Sequence, residues 1–212
     1  TKIDDTYYII RPGDSYLGNC EILGKTTDWE TYEFMDIVAM PMNRVPCLFP
    51  EKINGRYVRL DRPSGDRRNG DIWISYSPDL IHWGSHRHLL SPWAHWNGKK
   101  IGPCVPIKTD EGWLTLVHGV LDSCAGSRYS LSAILLDLKN PEKIIGKMNS
   151  WILTPDRDYE FQANVPNVVF ACAAISDFAK DELKVYYGAA DTFMCLATGS
   201  ISEIINACKK GL

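Results

Sequence analysis

Short apolar runs alternate with polar turns along most of the chain. "TYYII" at 6–10, "RYVRL" at 56–60, "DIWISYS" at 71–77, "WLTLVHGV" at 113–120, "YSLSAILLDL" at 129–138, "NVVFACAAI" at 167–175 and "KVYYGAA" at 184–190 are rich in β-branched and aromatic residues. Gly, Pro, Asn or Asp bounds them, which predicts strands. Helical spacing occurs only in "SISEIINACKKGL", where Ile201, Ile204, Ile205 and Cys208 share one face and lysines occupy the last turn.

The strands recur in a pattern. "KIDDTYYI" at 2–9, "KINGRYVR" at 52–59 and "KTDEGWLT" at 108–115 each place a Lys, a polar two-residue turn and an aromatic in the same order, with "KDELKVYY" at 180–187 as a looser copy. Such a turn suits a tight hairpin, whose central residues need positive φ. A second element follows: "TTDWETY" at 26–32 and "YSPDLIHW" at 76–83 both set an aromatic four residues after an Asp, and "LLDLKNPEKIIG" takes that place in the next copy. Units of roughly 50–70 residues with about four strands each predict propeller blades. The fold class expected is therefore all-β, a β-propeller, over one domain of residues 1–212. The chain holds three to four units, a partial propeller with a short C-terminal helix. A sandwich or an irregular all-β domain is the alternative.

Composition narrows the function. Of 212 residues, 45% are hydrophobic and 23% charged, which excludes a disordered chain. A net charge of −3 argues against nucleic acid as a partner. The seven cysteines are scattered without a CxxC pair, so neither a zinc site nor a redox motif is indicated, and a reducing cytoplasm is the expected location. No apolar run is long enough to span a bilayer, so no membrane partner is expected.

Several residues could carry chemistry. Residues 42–71 concentrate Arg44, Lys52, Arg59, Arg62, Arg67 and Arg68, which would suit an anion or form a solvated charged face. Lys100 lies beside a Gly-Pro loop, and His118 sits alone in an apolar strand. His82, His86, His88 and His95 lack acidic or Cys partners at matching spacing, so no metal is expected. Asp61, Asp71, Asp122 and Asp191 are read as turn carboxylates, which either bond their own backbone or serve glycoside chemistry. There is no nucleophile elbow, Walker loop or dinucleotide fingerprint.

Taken together, "LFPEKINGRYVRLDRP", "DIWISYSPDLIHWG", "DEGWLTLVHGV", "LLDLKNPEKIIG", "VPNVVFACAAI" and "VYYGAADTFMCLAT" resemble glycoside hydrolase family 130, in order and over nearly the whole chain. "HGVLDSCAGSRYS" is most similar to its β-1,4-mannosyl phosphorylase branch. The resemblance implies a five-bladed propeller and inverting phosphorolysis of β-mannosides to mannose 1-phosphate. Inorganic phosphate is the co-substrate and no cofactor is needed. It implies phosphate ligands at Arg44 and Lys100, and substrate-pocket residues at Asp191, Tyr129, Arg62 and His118, with His118 structural or supporting. The family's general acid is expected in a Tyr-Asp-Pro-Arg segment immediately preceding Thr1, so the chain is expected to be a fragment or a natural truncation.

The chain also departs from the family pattern. Val45 and Pro46 stand where the phosphate loop has Asn and Gly, and the loop after Pro63 is shorter and lacks a His. Two alternatives therefore stay open: an inverting β-mannoside hydrolase, or a non-catalytic truncated propeller that binds a partner. Open blade edges would invite pairing, so a homo-oligomer is retained as an expectation.

Overall fold

The computed structural model describes residues 1–64 and 70–211. Its strands form four antiparallel sheets in chain order, divided between two compact units, Thr1–Leu90 and Ser91–Leu212. The all-β, blade-by-blade expectation and the C-terminal helix both hold. No helix among the described residues is long and apolar enough to cross a membrane.

In the first unit, β1 (Lys2–Ile3), β2 (Thr6–Gly13), β3 (Cys20–Thr26) and β4 (Glu33–Ala39) form one sheet. The next consists of β5 (Asn43–Leu48), β6 (Tyr57–Pro63), β7 (Ile72–Ser77) and β8 (Gly84–Leu90). In the second unit, β9 (Lys100–Pro103) and β10 (Ile107–Thr109) both pair with the long β11 (Gly112–Ser123). The sheet continues through β12 (Gly126–Leu136) and β13 (Ile144–Lys147). After a one-turn helix α1 (Asp158–Phe161), the last sheet is β14 (Val169–Asp177), β15 (Glu182–Ala189) and β16 (Phe193–Ser200), and α2 (Ile201–Lys210) follows.

Both repeated sequence elements mark repeated structure. The Lys-led repeat is the tight turn that leads into β2, β6, β11 and β15. Asp4, Asn54 and Asp181 hold φ of 52°, 51° and 53° in three copies, and Gly112 holds 150° in the other. The second element is a hydrogen-bonded loop closing a hairpin. Thr26 Oγ1 accepts from the Asp28 and Trp29 N–H groups, and Asp28 Oδ1 from those of Glu30 and Thr31. Ser77 and Asp79 repeat the arrangement with residues 79–82. Asp137 does the same with the N–H groups of Lys139 and Asn140. The backbone donors hold the Asp28 carboxyl down at about 2.

Each unit has its own core. Leu23, Val38, Leu48 and Leu80 pack together in the first. In the second, Leu114, Leu116, Leu131, Leu135, Val169 and Leu183 meet the apolar face of α2. Ser200 caps that helix by accepting the Glu203 N–H at 3.0 Å, and Lys209 and Lys210 lie in its last turn. Ile201, Ile204, Ile205 and Cys208 are all buried, as their spacing predicted. Each buried Ile stabilises the contact by roughly 1.5–3 kcal/mol.

Candidate active site

In the second unit the ladder aligns three of the predicted residues. Val120 of β11 pairs with Lys100 on one side and Tyr129 on the other, and His118 lies two residues back on the same face. Lys100 Nζ is 5.3 Å from the centre of the Tyr129 ring. The His118 ring stacks 6.2 Å from Tyr129 and packs 4.6 Å from Phe170. His118 is buried, whereas Lys100 and Tyr129 keep partial access to solvent. The adjacent Lys99 is committed elsewhere, with Nζ 2.7 Å from Asp122. Hydrogen bonds from Lys99 and Ser127 hold the Asp122 carboxyl below the usual carboxylate range. Gly119 sets the register beneath this face, because a Cβ there would lie 2.2 Å from the Trp96 ring and 2.4 Å from Asn97 Cβ.

Asp191 lies at the tip of the β15–β16 hairpin. Ala190 and Asp191 both hold φ of 49°, and the Thr192 N–H donates to the Ala189 carbonyl at 3.0 Å. Positive φ at both central positions is the primed hairpin turn, and Asp tolerates it better than most residues. The backbone itself fixes this turn: the Ala190 N–H donates to the Val168 carbonyl, and the Val165 N–H donates to the Ala190 carbonyl, both at 3.0 Å. The same segment holds Tyr129, whose N–H donates to the Asn167 carbonyl at 2.9 Å. Asp191 is exposed, and among the described residues no group hydrogen-bonds its carboxylate. The carboxylate is thus free to accept from ligand hydroxyls while its turn is held by others.

Sequence reasoning missed the residue that secures this segment. Glu160 is buried, and its carboxylate accepts the N–H groups of Asp156 and Arg157 at 2.6 and 2.8 Å and the Tyr187 hydroxyl at 2.8 Å. Its own carbonyl accepts the Asn167 N–H at 2.9 Å. Burial, with Tyr159 and Glu160 as hydrogen-bond partners, pushes the Tyr187 phenol well above its ordinary range. No spacing signal marks Glu160, because its partners are backbone groups brought in by a loop.

In the first unit, Arg44 of β5 and Arg62 of β6 are direct cross-strand partners. Arg44 is exposed and Arg62 buried. The ladder slips between Arg44 and Cys47, where Val45 takes φ of 58°. Gly70 covers the Arg62 stem closely enough that a Cβ there would lie 2.8 Å from Cγ and Cδ.

Two readings of this basic stretch need correction. Arg59 is no part of a solvated face: it is 1% exposed, with Nε 2.9 Å from Asp61 and Nη1 donating to the Val38 carbonyl at 2.9 Å. Its guanidinium also lies over the Trp83 ring at 4.2 Å. Asp61 is a buried mid-strand residue and not a turn aspartate, because β6 runs straight through it. Asn43 Nδ2 and Ser75 Oγ also donate to Asp61, at 3.2 and 2.7 Å. Arg59, Asp61, Asn43, Trp73 and Trp83 contribute to the wall of a cleft of about 820 Å³, but Arg44 and Arg62 do not line it. Arg67 and Arg68 lie outside the described residues.

The described residues contain no cluster of three or more His, Cys, Asp or Glu that could hold a metal ion. Two of the four histidines in that stretch have separate acid partners, His82 with Asp79 and His88 with Asp71, each at 2.8 Å.

Residues 1–210 match the family model described as β-1,4-mannooligosaccharide phosphorylase, of glycoside hydrolase family 130. The chain is 42% identical over 187 residues to the β-1,4-mannooligosaccharide phosphorylase of Ruminococcus albus, covering 87% of this chain and 56% of that protein. It is 44% identical over 209 residues to the β-1,2-mannobiose phosphorylase of Listeria innocua, covering 97% and 58%. A solved structure of the Listeria innocua β-1,2-mannobiose phosphorylase in complex with β-1,2-mannobiose superposes with a TM-score of 0.91 at 42% identity, over 99% of this chain and 59% of that one. The chain thus spans less than two thirds of the length of these relatives. With the match running from residue 1 to 210, the chain belongs to glycoside hydrolase family 130.

Proposed function

We propose that this chain supplies the sugar- and phosphate-binding parts of an inverting β-mannoside phosphorylase. The observation that carries the reading is the face on which Lys100, His118 and Tyr129 align, tied through residues 165–168 to the free carboxylate of Asp191. Asp191 accepts hydroxyls of the mannosyl ring, a charge-assisted contact that fixes its orientation. The Tyr129 ring offers an aromatic face to the sugar and Lys100 a cation to the phosphate; Arg44, in the first unit, is read separately as a phosphate ligand. Phosphate oxygen attacks the anomeric carbon while the glycosidic bond breaks, and a proton donor neutralises the departing oxygen. Inversion of a β-mannoside gives α-mannose 1-phosphate. The proton donor belongs, in this reading, to the part of the family's length that these 212 residues do not span. Relatives acting on β-1,2 and on β-1,4 linkages both match, so the linkage is left to experiment.

Phosphate is the co-substrate, and the chemistry as drawn needs no cofactor. All seven cysteines are free, which favours a reducing cytoplasm as the site of action.

The experiment is incubation of the full gene product with β-1,2- or β-1,4-mannobiose, with and without phosphate. Phosphate-dependent mannose 1-phosphate is the expected product. Free mannose without phosphate would establish the hydrolytic alternative, and no turnover under either condition would overturn an enzymatic role.

A further inference from the structure

The hairpin that carries Asp191 also carries an exposed aromatic ring. Phe193, two residues further on, opens β16 and pairs with Ala189. Its ring meets that of Tyr159 on α1 edge to face, with centroids 6.5 Å apart and planes at 79°. Even so, Phe193 keeps 47% of its surface exposed, Tyr159 41%, and Phe161 at the end of α1 39%. A single exposed apolar residue is ordinary, but aromatic rings gathered on two bonded segments mark a binding surface.

Hydrogen bonds fix these segments to the Asp191 turn. The Tyr187 hydroxyl of β15 donates to the Glu160 carboxylate at 2.8 Å, which ties α1 to the hairpin. The Asn164 N–H donates to Thr192 Oγ1 at 3.2 Å, and that hydroxyl donates to the Ala190 carbonyl at 3.0 Å. The Val165 N–H donates to the same carbonyl. The chain just after α1 is thus bonded to both neighbours of Asp191.

We infer that Tyr159 and Phe193 form a sugar platform: they hold the second ring of the substrate, the leaving sugar of phosphorolysis, while Asp191 orients the first. This rests on the reading of Asp191 as the ligand of the mannosyl ring. A pyranose carries hydroxyls around its rim and C–H groups on its faces. A carboxylate takes the rim, and an aromatic ring takes the face. Two residues of extended chain span at most about 7 Å, so the platform starts one sugar ring's reach from Asp191. Both parts stand on one hydrogen-bonded hairpin, which keeps their spacing fixed and makes the platform a determinant of which saccharide leaves.

The test titrates the full gene product calorimetrically, without phosphate, with mannobiose and with α-mannose 1-phosphate. The phosphorylated ligand has one sugar ring, and its phosphate commits that ring to the Asp191 end. Phe193→Ala and Tyr159→Ala should each weaken mannobiose binding about tenfold, the scale of losing about 50 Å² of apolar contact. Mannose 1-phosphate affinity should stay at the wild-type value in both. Phe193→Trp keeps a flat ring and should restore mannobiose binding. Unchanged mannobiose affinity in Phe193→Ala would overturn the platform and leave the role of Asp191 standing. An equal loss for both ligands would also overturn it, because the effect would then trace to a disturbed Asp191 turn. A wild type that fails to bind mannose 1-phosphate, with mannobiose binding still dependent on Phe193, would overturn the phosphorylase reading and keep the platform. Binding of neither ligand by the wild type would overturn both.

Discussion

Arg44 and Arg62 stand directly opposite each other on the β5–β6 ladder. Like charges in that relation destabilise a sheet unless a counter-charge relieves them. An anion bound between the strands would do so. Arg44→Ala should raise the KM for phosphate at least tenfold in the full gene product. Arg44 is exposed, so its loss should leave the stability of the fold within about 0.5 kcal/mol of wild type. Phosphate kinetics beside a denaturant melt would separate the two effects; equal phosphate KM values would remove Arg44 from the site.

Val45 carries a β-branched side chain at φ of 58°, a conformation such residues rarely adopt. The strain is of order 1 kcal/mol or more. Val45→Asn should therefore stabilise the chain by about 1 kcal/mol while preserving the bulge and its N–H. Urea unfolding would register this as a higher midpoint at an unchanged slope. An unchanged or lower midpoint would mean that apolar packing of the Val45 side chain outweighs the backbone strain.

The Arg59–Asp61 pair is a buried salt bridge with both partners hydrogen-bonded. Removing one member leaves the other buried and uncompensated, which costs about 3–5 kcal/mol. Arg59→Met and Asp61→Leu should each destabilise by that amount. The double variant should recover most of the loss, since an apolar pair of similar volume avoids desolvating two charges. A double-mutant cycle read by denaturant unfolding checks this, and additive losses would show that the pair acts independently.

Glu21, buried on β3, gives stability a defined pH dependence. Burial lifts its folded-state pKa to about 7, above the ordinary 4.5, so the folded state holds the proton more tightly. Its contribution is fully present below about pH 4.5 and is lost as pH rises through about 7. The loss is on the order of 3 kcal/mol. Glu21→Gln should abolish this component. Unfolding free energies at pH 5 and pH 8 for both proteins measure it, and an equal pH response in wild type and variant would contradict it.

Much of this fold was legible because its punctuation is chemical. Positive-φ turns at Asp4, Asn54 and Asp181, and the side-chain-closed loops at Asp28, Asp79 and Asp137, are written in residue types with few other uses. The strands that sequence reading passed over lack that contrast. β8 reads "GSHRHLL" and exposes four consecutive residues, so it shows no apolar alternation to find. β5 was hidden by Pro46 and the slip beside it. The site divides in the same way. Lys100, His118 and Tyr129 were recognisable by motif, and alternation across the ladder then puts them on one face. Glu21, Arg59 and Glu160 were not, because burial of a charged residue depends on partners from distant strands or loops. A charge that will be buried and one that will be solvated look alike until the sheets are assembled.

Asp191 combines a backbone duty with a chemical one, and the two can be separated. Its φ of 49° favours Asp, Asn or Gly, while its carboxylate takes no part in holding the turn. Asp191→Ala confounds the two by adding backbone strain of about 1 kcal/mol. Asp191→Asn and Asp191→Gly keep the turn and delete the charge, so both should unfold within about 0.5 kcal/mol of wild type. If the carboxylate orients sugar hydroxyls, both should weaken mannoside binding by roughly ten- to a hundredfold, the worth of charged hydrogen bonds at about 1.5–3 kcal/mol. Calorimetric titration with mannobiose, paired with thermal melts, reads the two quantities independently. Mannoside affinity unchanged in both variants would return Asp191 to the status of a turn residue and leave Lys100, His118 and Tyr129 as the whole of the face on which the sugar-binding reading stands.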